Sequence, residues 1–473
     1  MVGDEISVRH FEAVDFSRFR RLLEEETEHV TRLFDSNGFS TRGDIVGFEL
    51  EACIVDEAGN PKGLNQEILD TLNNPLVVPE LSQFNVELNG SPCSLTGRAF
   101  SRLHDELAST WDACQNAAKE NDTKLVQVGI LPTMRRDLLN SRNMSDMVRY
   151  RALNDRIIAL RDGADLRIAI SGCEDLNLLH QDVMLEAATT SFQIHLQCKP
   201  YRAVRDFNAA IAVSAPMVAL SANSPYLFGK DLWAETRIPL FEQATHIGER
   251  HLQRVIFGSG YAKDSLCELF SENRLGHTIL LPFMQPEPIN KYAHLRFQNG
   301  TIWRWNRPLI GFDYDGQPHL RIEHRVVPSG PTVIDCIANC AVFIGFVRAL
   351  GRQETPIEEI LPFEVAKDNF YAAARLGLDA EITWVNGEKL TVSDLILNKL
   401  LPMAGEALEL EEVPSDEVDK YLGIIKDRVA SGMNGATWQR SWVESHGNDL
   451  AGLTRSYFTH QESNEPVHTW DLT

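Results

Sequence analysis

The chain has 473 residues, 43% hydrophobic and 24% charged, the composition of an ordinary folded protein with a sizeable core. Its formal net charge of −22 argues against a nucleic-acid or anionic-membrane binder, since either would want a basic face. The eight cysteines include no CxxC pair and the first residues, MVGDEISVRHFEAVDF, hold no apolar core, so a reducing cytoplasmic setting without a signal peptide is expected.

Residues 10–36 predict a charged amphipathic helix that stops near Asn37-Gly38. GFELEACIVD (47–56) reads as a buried strand, and the DEAGNPKG that overlaps its end carries turn chemistry. FNVELN (84–89) is a second strand, 98–121 an alanine-rich helix and KLVQVGI (124–130) a strand. Residues 141–162 predict a helix, SFQIHLQC (191–198) a cleanly alternating strand and 203–222 a long helix. The segment 257–301 reads as irregular, and its proline-rich LPFMQPEPI (281–289) suggests a lid. TIWRWNRP (301–308) and HLRIEHRVV (319–327) are strand-like, 332–350 is an apolar helix, and the remainder is helical and acidic. The apolar runs 209–222 and 336–350 fall short of a membrane span. Alternating strands separated by helices imply an α+β fold with an antiparallel sheet that is polar on one face.

The polar residues of four strands share a pattern. Glu49 and Glu51 project from one face, roughly 6–7 Å apart, opposite Phe48, Leu50 and Ala52. Asn85, Glu87 and Asn89 oppose Phe84, Val86 and Leu88, and Gln193, His195 and Gln197 oppose Phe192, Ile194 and Leu196. Arg321, Glu323 and Arg325 oppose Leu320 and Ile322, with His324 breaking the apolar face. Each motif alone has a plainer reading: a solvent-facing strand, a hydrogen-bonded core histidine, a cross-strand ion-pair ladder. Arg149 and Arg151 alone read as solvated helix charges, and Trp303 and Trp305 as core. Four such faces together suggest a floor beneath a ligand, with carboxylates for Mg²⁺ and arginines for phosphate. No GxxxxGK[ST] loop, GxGxxG fingerprint or HExxH motif is present.

GFELE, PELSQFNVELNGSP, IHLQ, VALSANSPYLFG, WNRP and RIEHR, in that order, resemble the type 2 glutamate–cysteine ligases, a carboxylate–amine ligase family. DNFYAAARLGLDAEITWVNGEKL (368–390) resembles that family's C-terminal segment. The resemblance implies a glutamine-synthetase-like fold, shared with guanidino kinases, whose curved antiparallel sheet packs helices on one face and carries the active site on the other. It implies ATP as substrate and Mg²⁺, or Mn²⁺ in its place, as cofactor. It implies phosphorylation of the γ-carboxylate of L-glutamate and displacement of phosphate by an amine, with L-cysteine giving γ-glutamylcysteine as the leading case. By that resemblance Glu49, Glu51, Glu80, Glu87, His195 and Glu323 are metal ligands. Arg307 and Arg325 are catalytic, and Arg149, Arg321, Gln193 and Asn89 are assigned to substrate or ATP. The family's HVHVG is QIHLQ here, which replaces one histidine by Gln193 and the glycine by Gln197.

Residues 1–43 are expected to form an N-terminal helical extension, with oligomerisation a candidate role and the oligomeric state, a homo-oligomer among the options, left open. Residues 44–473 form one catalytic domain, helical from about 332. Three rivals remain open at this point: a ligase with another amine acceptor, a guanidino phosphotransferase, and a non-catalytic nucleotide- or metal-binding protein.

Overall fold

The computed structural model describes residues 5–472. Eight strands form one antiparallel sheet: β1 Ile45–Val55, β2 Val77–Pro79, β3 Asn85–Asn89, β4 Cys93–Ser94, β5 Lys124–Val126, β6 Phe192–Cys198, β7 Asn306–Phe312 and β8 Pro318–His324. The path runs β7-β8-β6-β1-β3-β2, and β4 and β5 pair with the two ends of β1. The sheet curls into a half-barrel. The α+β fold expected from strand alternation is the one observed.

Alternation sets what the sheet buries. Phe48, Leu50, Ala52 and Ile54 of β1, Val86 and Leu88 of β3, Ile194 and Leu196 of β6, and Leu320 and Ile322 of β8 all enter one core. Helices Ala99–Glu120, Ala203–Ala212 and Val333–Gly351 pack on that side. Each large apolar side chain so buried contributes about 1.5–3 kcal/mol. The Val333–Gly351 helix extends beyond the apolar run and is long enough to cross a membrane, yet 94% of its apolar window is buried inside the fold. His324 follows the apolar side rather than the polar one. Its ring stacks on Phe343 at 4.1 Å, its Nδ1 pairs with Asn306 Oδ1 at 2.7 Å, and burial holds its pKa down to about 3.

The first helix, Ala13–Asp35, opens on a capping box between Glu12 and Asp15. It closes before Asn37, whose φ of 55° suits asparagine. Its Phe19, Leu23 and Val30 are buried, and the helix packs on Cys267–Gly276 and Ala293–Asn299. Buried Glu26 accepts from Leu295 N at 2.7 Å and pairs with His294 Nδ1 at 2.7 Å.

Several elements differ from the sequence expectation. The 203–222 helix is two, Ala203–Ala212 and Ser214–Ser221, bent by 48°. Pro216 explains the break, because its ring meets the carbonyl of the residue four before it, Ala212. Within 141–162 only Val148–Leu160 is α-helical. The region 257–301 holds two helices, Cys267–Gly276 and Ala293–Asn299. A hairpin of Leu166–Ser171 and Asp175–His180 lies where no element was expected.

Candidate active site

Register organises the polar face into rows. Arg307 of β7 faces Glu323 of β8, Glu323 faces His195 of β6, and His195 faces Gly47 of β1. In the adjacent row Gln193 of β6, Glu49 of β1 and Asn89 of β3 face one another, and the next β1–β3 pair on this face is Glu51 with Glu87. Gly47 leaves the floor open beside His195: a Cβ there would meet only His195 Cβ, at 3.9 Å.

The six residues expected as metal ligands come together as two triads. Glu49, His195 and Glu323 each offer a ligand atom within 4.8 Å of the others, and so do Glu51, Glu80 and Glu87. His195 Nε2 stands 3.5 Å from Glu49 Oε1 and 3.4 Å from Glu323 Oε1, buried and without a hydrogen-bond partner. An orphaned imidazole nitrogen between two carboxylates, and three carboxylates in mutual reach, are donor sets that fit a hard divalent cation.

The triads differ electrostatically. Burial would push the Glu323 carboxyl up, but Arg307 and Arg325 outweigh it and hold its pKa well below the usual range. Burial and the charge of Glu80 push Glu51 up to about 7. Glu80 is raised by burial, which outweighs Arg149. Glu87 is raised well above its ordinary value, by burial and then by Glu49, Glu80 and Glu51. The second triad thus carries the uncompensated negative charge, which a cation would relieve. Donors fix its members: Asn89 Nδ2 to Glu87 Oε1 at 3.0 Å, Gln193 Nε2 to Glu51 Oε1 at 3.1 Å, Ser191 N to Glu51 Oε2 at 2.6 Å and Leu81 N to Glu80 Oε2 at 2.8 Å.

Arg325 links the two triads. Its Nη1 donates to Glu323 Oε2 at 3.1 Å and to Gln193 Oε1, and Gln193 in turn holds Glu51. Arg325 Nε is buried without a partner. Arg307 is placed differently. It is buried and gives Glu323 two hydrogen bonds, leaving Nη1 to the Gly300 carbonyl at 3.5 Å. Arg321 Nε is buried and unpartnered, and the charges of Glu49 and Glu323 act on it. Arg149 is not the solvated charge its helix suggests. It lies over the Tyr150 ring, its Nη2 meets Tyr150 Oη at 2.7 Å, its Nε and Nη1 are unpartnered, and Glu80 and Glu87 act on its charge. Arg151 does pair with exposed Asp146. Trp305 is buried as expected, with Nε1 donating to Glu242 Oε1 at 2.9 Å.

Beside the second triad a small cavity is lined by Glu51, Glu80, Arg325 and three residues the sequence reading did not single out: Glu186, Arg237 and Phe241. Arg237 is buried, paired with Glu235 at 3.1 Å, and donates to the carbonyls of Arg325 and Val326. A lone glutamate inside the apolar run VMLEAA was the available sequence signal for Glu186.

A half-barrel sheet with acidic triads and arginines on its polar face suits metal–phosphate chemistry, and the family match makes the chain an ATP-dependent carboxylate–amine ligase. Residues 45–456 match the model of glutamate-cysteine ligase family 2, and the chain belongs to that family. Among solved structures it is similar to glutamate–cysteine ligase from Francisella tularensis, in complex with AMP, at 10% identity and a TM-score of 0.53, covering 92% of this chain and 91% of that one. It is also similar to a bifunctional glutathione synthetase from Pasteurella multocida, at 12% identity and a TM-score of 0.54, covering 92% of this chain and 55% of that one. No curated protein matches the sequence.

Proposed function

We propose that this ATP-dependent ligase activates the γ-carboxylate of L-glutamate as an acyl phosphate and joins it to an amine, with L-cysteine as the acceptor. One observation carries the reading: two ligand triads lie side by side on one face and are bridged by Arg325 and Gln193. Two anions must approach each other in phosphoryl transfer, so a site for it needs cations on both sides of the reacting oxygens.

In this reading Glu49, His195 and Glu323 hold one Mg²⁺ and Glu51, Glu80 and Glu87 a second. Bound there, Mg²⁺ supplies charge neutralisation to the phosphate and carboxylate oxygens. The chain's own residues do the rest. Arg325 has an unpartnered Nε and faces the charge that develops on the transferred phosphoryl group. Arg307 orients Glu323 from behind rather than meeting phosphate itself. Arg149 and Arg321 add positive charge at the two edges of the triads. A carboxylate oxygen attacks the γ-phosphorus, ADP leaves, and the amine then displaces phosphate from the acyl carbon. The carboxylate oxygen that attacked departs in that phosphate.

Glutamate labelled with ¹⁸O in its γ-carboxylate tests this. The reading predicts one labelled oxygen in the phosphate released with the amide product. Unlabelled phosphate would contradict an acyl phosphate.

A further inference from the structure

The cavity beside the second triad has a composition the activation step does not explain. Five of the six residues of the short helix Val183–Ala188 are apolar and buried; the sixth, Glu186, lines the cavity. That helix is pinned from both ends. Asp182 caps it by accepting from Met184 N at 3.0 Å, Val183 N donates to Asn154 Oδ1 at 3.2 Å, and Thr189 closes on the Glu186 carbonyl. Among the described residues the Glu186 carboxylate has no hydrogen bond or ion pair, although almost every other charged side chain in this face has one. A fixed, half-buried carboxylate without a cationic partner is costly to keep ionised, and a cation from outside the chain would relieve that cost.

The other walls say what kind of partner. Arg237 and Arg325 line the same cavity, and Phe241 and Trp305 give it an apolar side. One small space therefore offers an anion acceptor for a cation, guanidinium donors for an anion, and rings for methylenes. That is the charge pattern of a zwitterion with a short aliphatic arm. Glu51 and Glu80 line it as well, and in the proposed reading the reacting carboxylate lies beside them.

We infer that Glu186 is the ammonium-recognising residue of the donor pocket, holding the α-amino group of the amino acid whose side-chain carboxylate is activated. The α-carboxylate is met by Arg237, and selection is for an α-amino diacid over a plain diacid. This rests on the reading that glutamate is the donor, and it names the residue that would make it so. A pocket that hydrogen-bonds an ammonium group rejects an analogue lacking it strongly, because the carboxylate is then left unpaired.

The test compares L-glutamate with glutarate, which lacks only the α-amino group. Calorimetry measures binding of each to the wild type and to Glu186→Gln in the presence of ATP analogue and Mg²⁺. Glu186→Ala, with folding checked by thermal unfolding, guards against a substitution that merely distorts the helix. The wild type is expected to prefer glutamate by at least about 100-fold, and both variants to lose most of that preference while binding glutarate as well as before. A preference that survives in both variants would overturn the assignment, as would a wild type that binds the two diacids equally or binds neither. Phosphate release, followed separately, reports on the ligase reading: turnover with glutamate and unchanged selectivity would reject Glu186 while leaving the reaction class standing.

Discussion

Arg307 stands directly behind Glu323: its Nε and Nη2 donate to the two carboxylate oxygens at 2.7 and 2.9 Å, and both side chains are buried. The β7–β8 register brings them face to face. The consequence is a carboxylate that is held both ionised and oriented within its triad.

Arg307→Ala should therefore cost stability as well as turnover. Removing one partner of a buried pair leaves an uncompensated charge, worth about 3–5 kcal/mol. Urea unfolding should show a loss of that size, and Arg307→Lys should recover part of it without restoring the two-pronged contact. A variant as stable as the wild type would show that the pair is not what holds Glu323.

The two triads predict two separable cation sites. Glu49→Gln should weaken one class of Mg²⁺ or Mn²⁺ binding and Glu51→Gln the other, each by more than about tenfold. Titration calorimetry without nucleotide resolves the classes. Identical losses in both variants would mean a single site. Chelation by EDTA should abolish phosphate release, and added Mg²⁺ should restore it.

Gly47 tests the floor. Its missing side chain is not required by the fold, since a Cβ would touch only His195 at an ordinary 3.9 Å. Gly47→Val should unfold at a temperature close to the wild type yet turn over about tenfold more slowly or worse, because its methyls would occupy the face where substrate lies. Unchanged turnover would place the substrate elsewhere.

Much of this was legible in the sequence because alternation is local. Glu49, Glu51, Glu87, His195 and Glu323 each stand on the polar side of a strand whose other side is apolar, and a period of two shows that. The division into triads was not legible. It depends on which strands neighbour which, and β6 reaches β1 and β8 across more than a hundred residues of intervening chain. Glu80 follows the last residue of β2, outside any alternation, so only the family motif pointed to it. Glu186 sits on a six-residue helix too short to show a period. The break at Val213 follows from Pro216, whose effect the long apolar run masks in the sequence.

Glu242 predicts a pH dependence away from the triads. Burial pushes its carboxyl up to about 7, against the pull of hydrogen bonds from Trp305 and Tyr371. A folded-state pKa above the unfolded value means that the folded protein binds the proton more tightly. Its contribution to stability is therefore present below about pH 4.5 and is lost as pH rises to about 7, by about 3 kcal/mol. Glu242→Gln keeps an oxygen for both donors and removes the ionisation. Urea unfolding should show the variant gaining on the wild type between pH 5 and pH 8; a constant difference would mean that Glu242 does not titrate in that window.

If ATP drives the joining of glutamate to an amine, phosphate release must depend on both. The direct measurement is steady-state phosphate release from ATP and Mg²⁺ with L-glutamate, alone and with each of a panel of amines including L-cysteine, with product masses read in parallel. Phosphate release should require glutamate, rise with L-cysteine and match the formation of γ-glutamylcysteine one for one. A phosphorylated guanidino product without free phosphate, or ATP binding with no turnover for any amine, would contradict it.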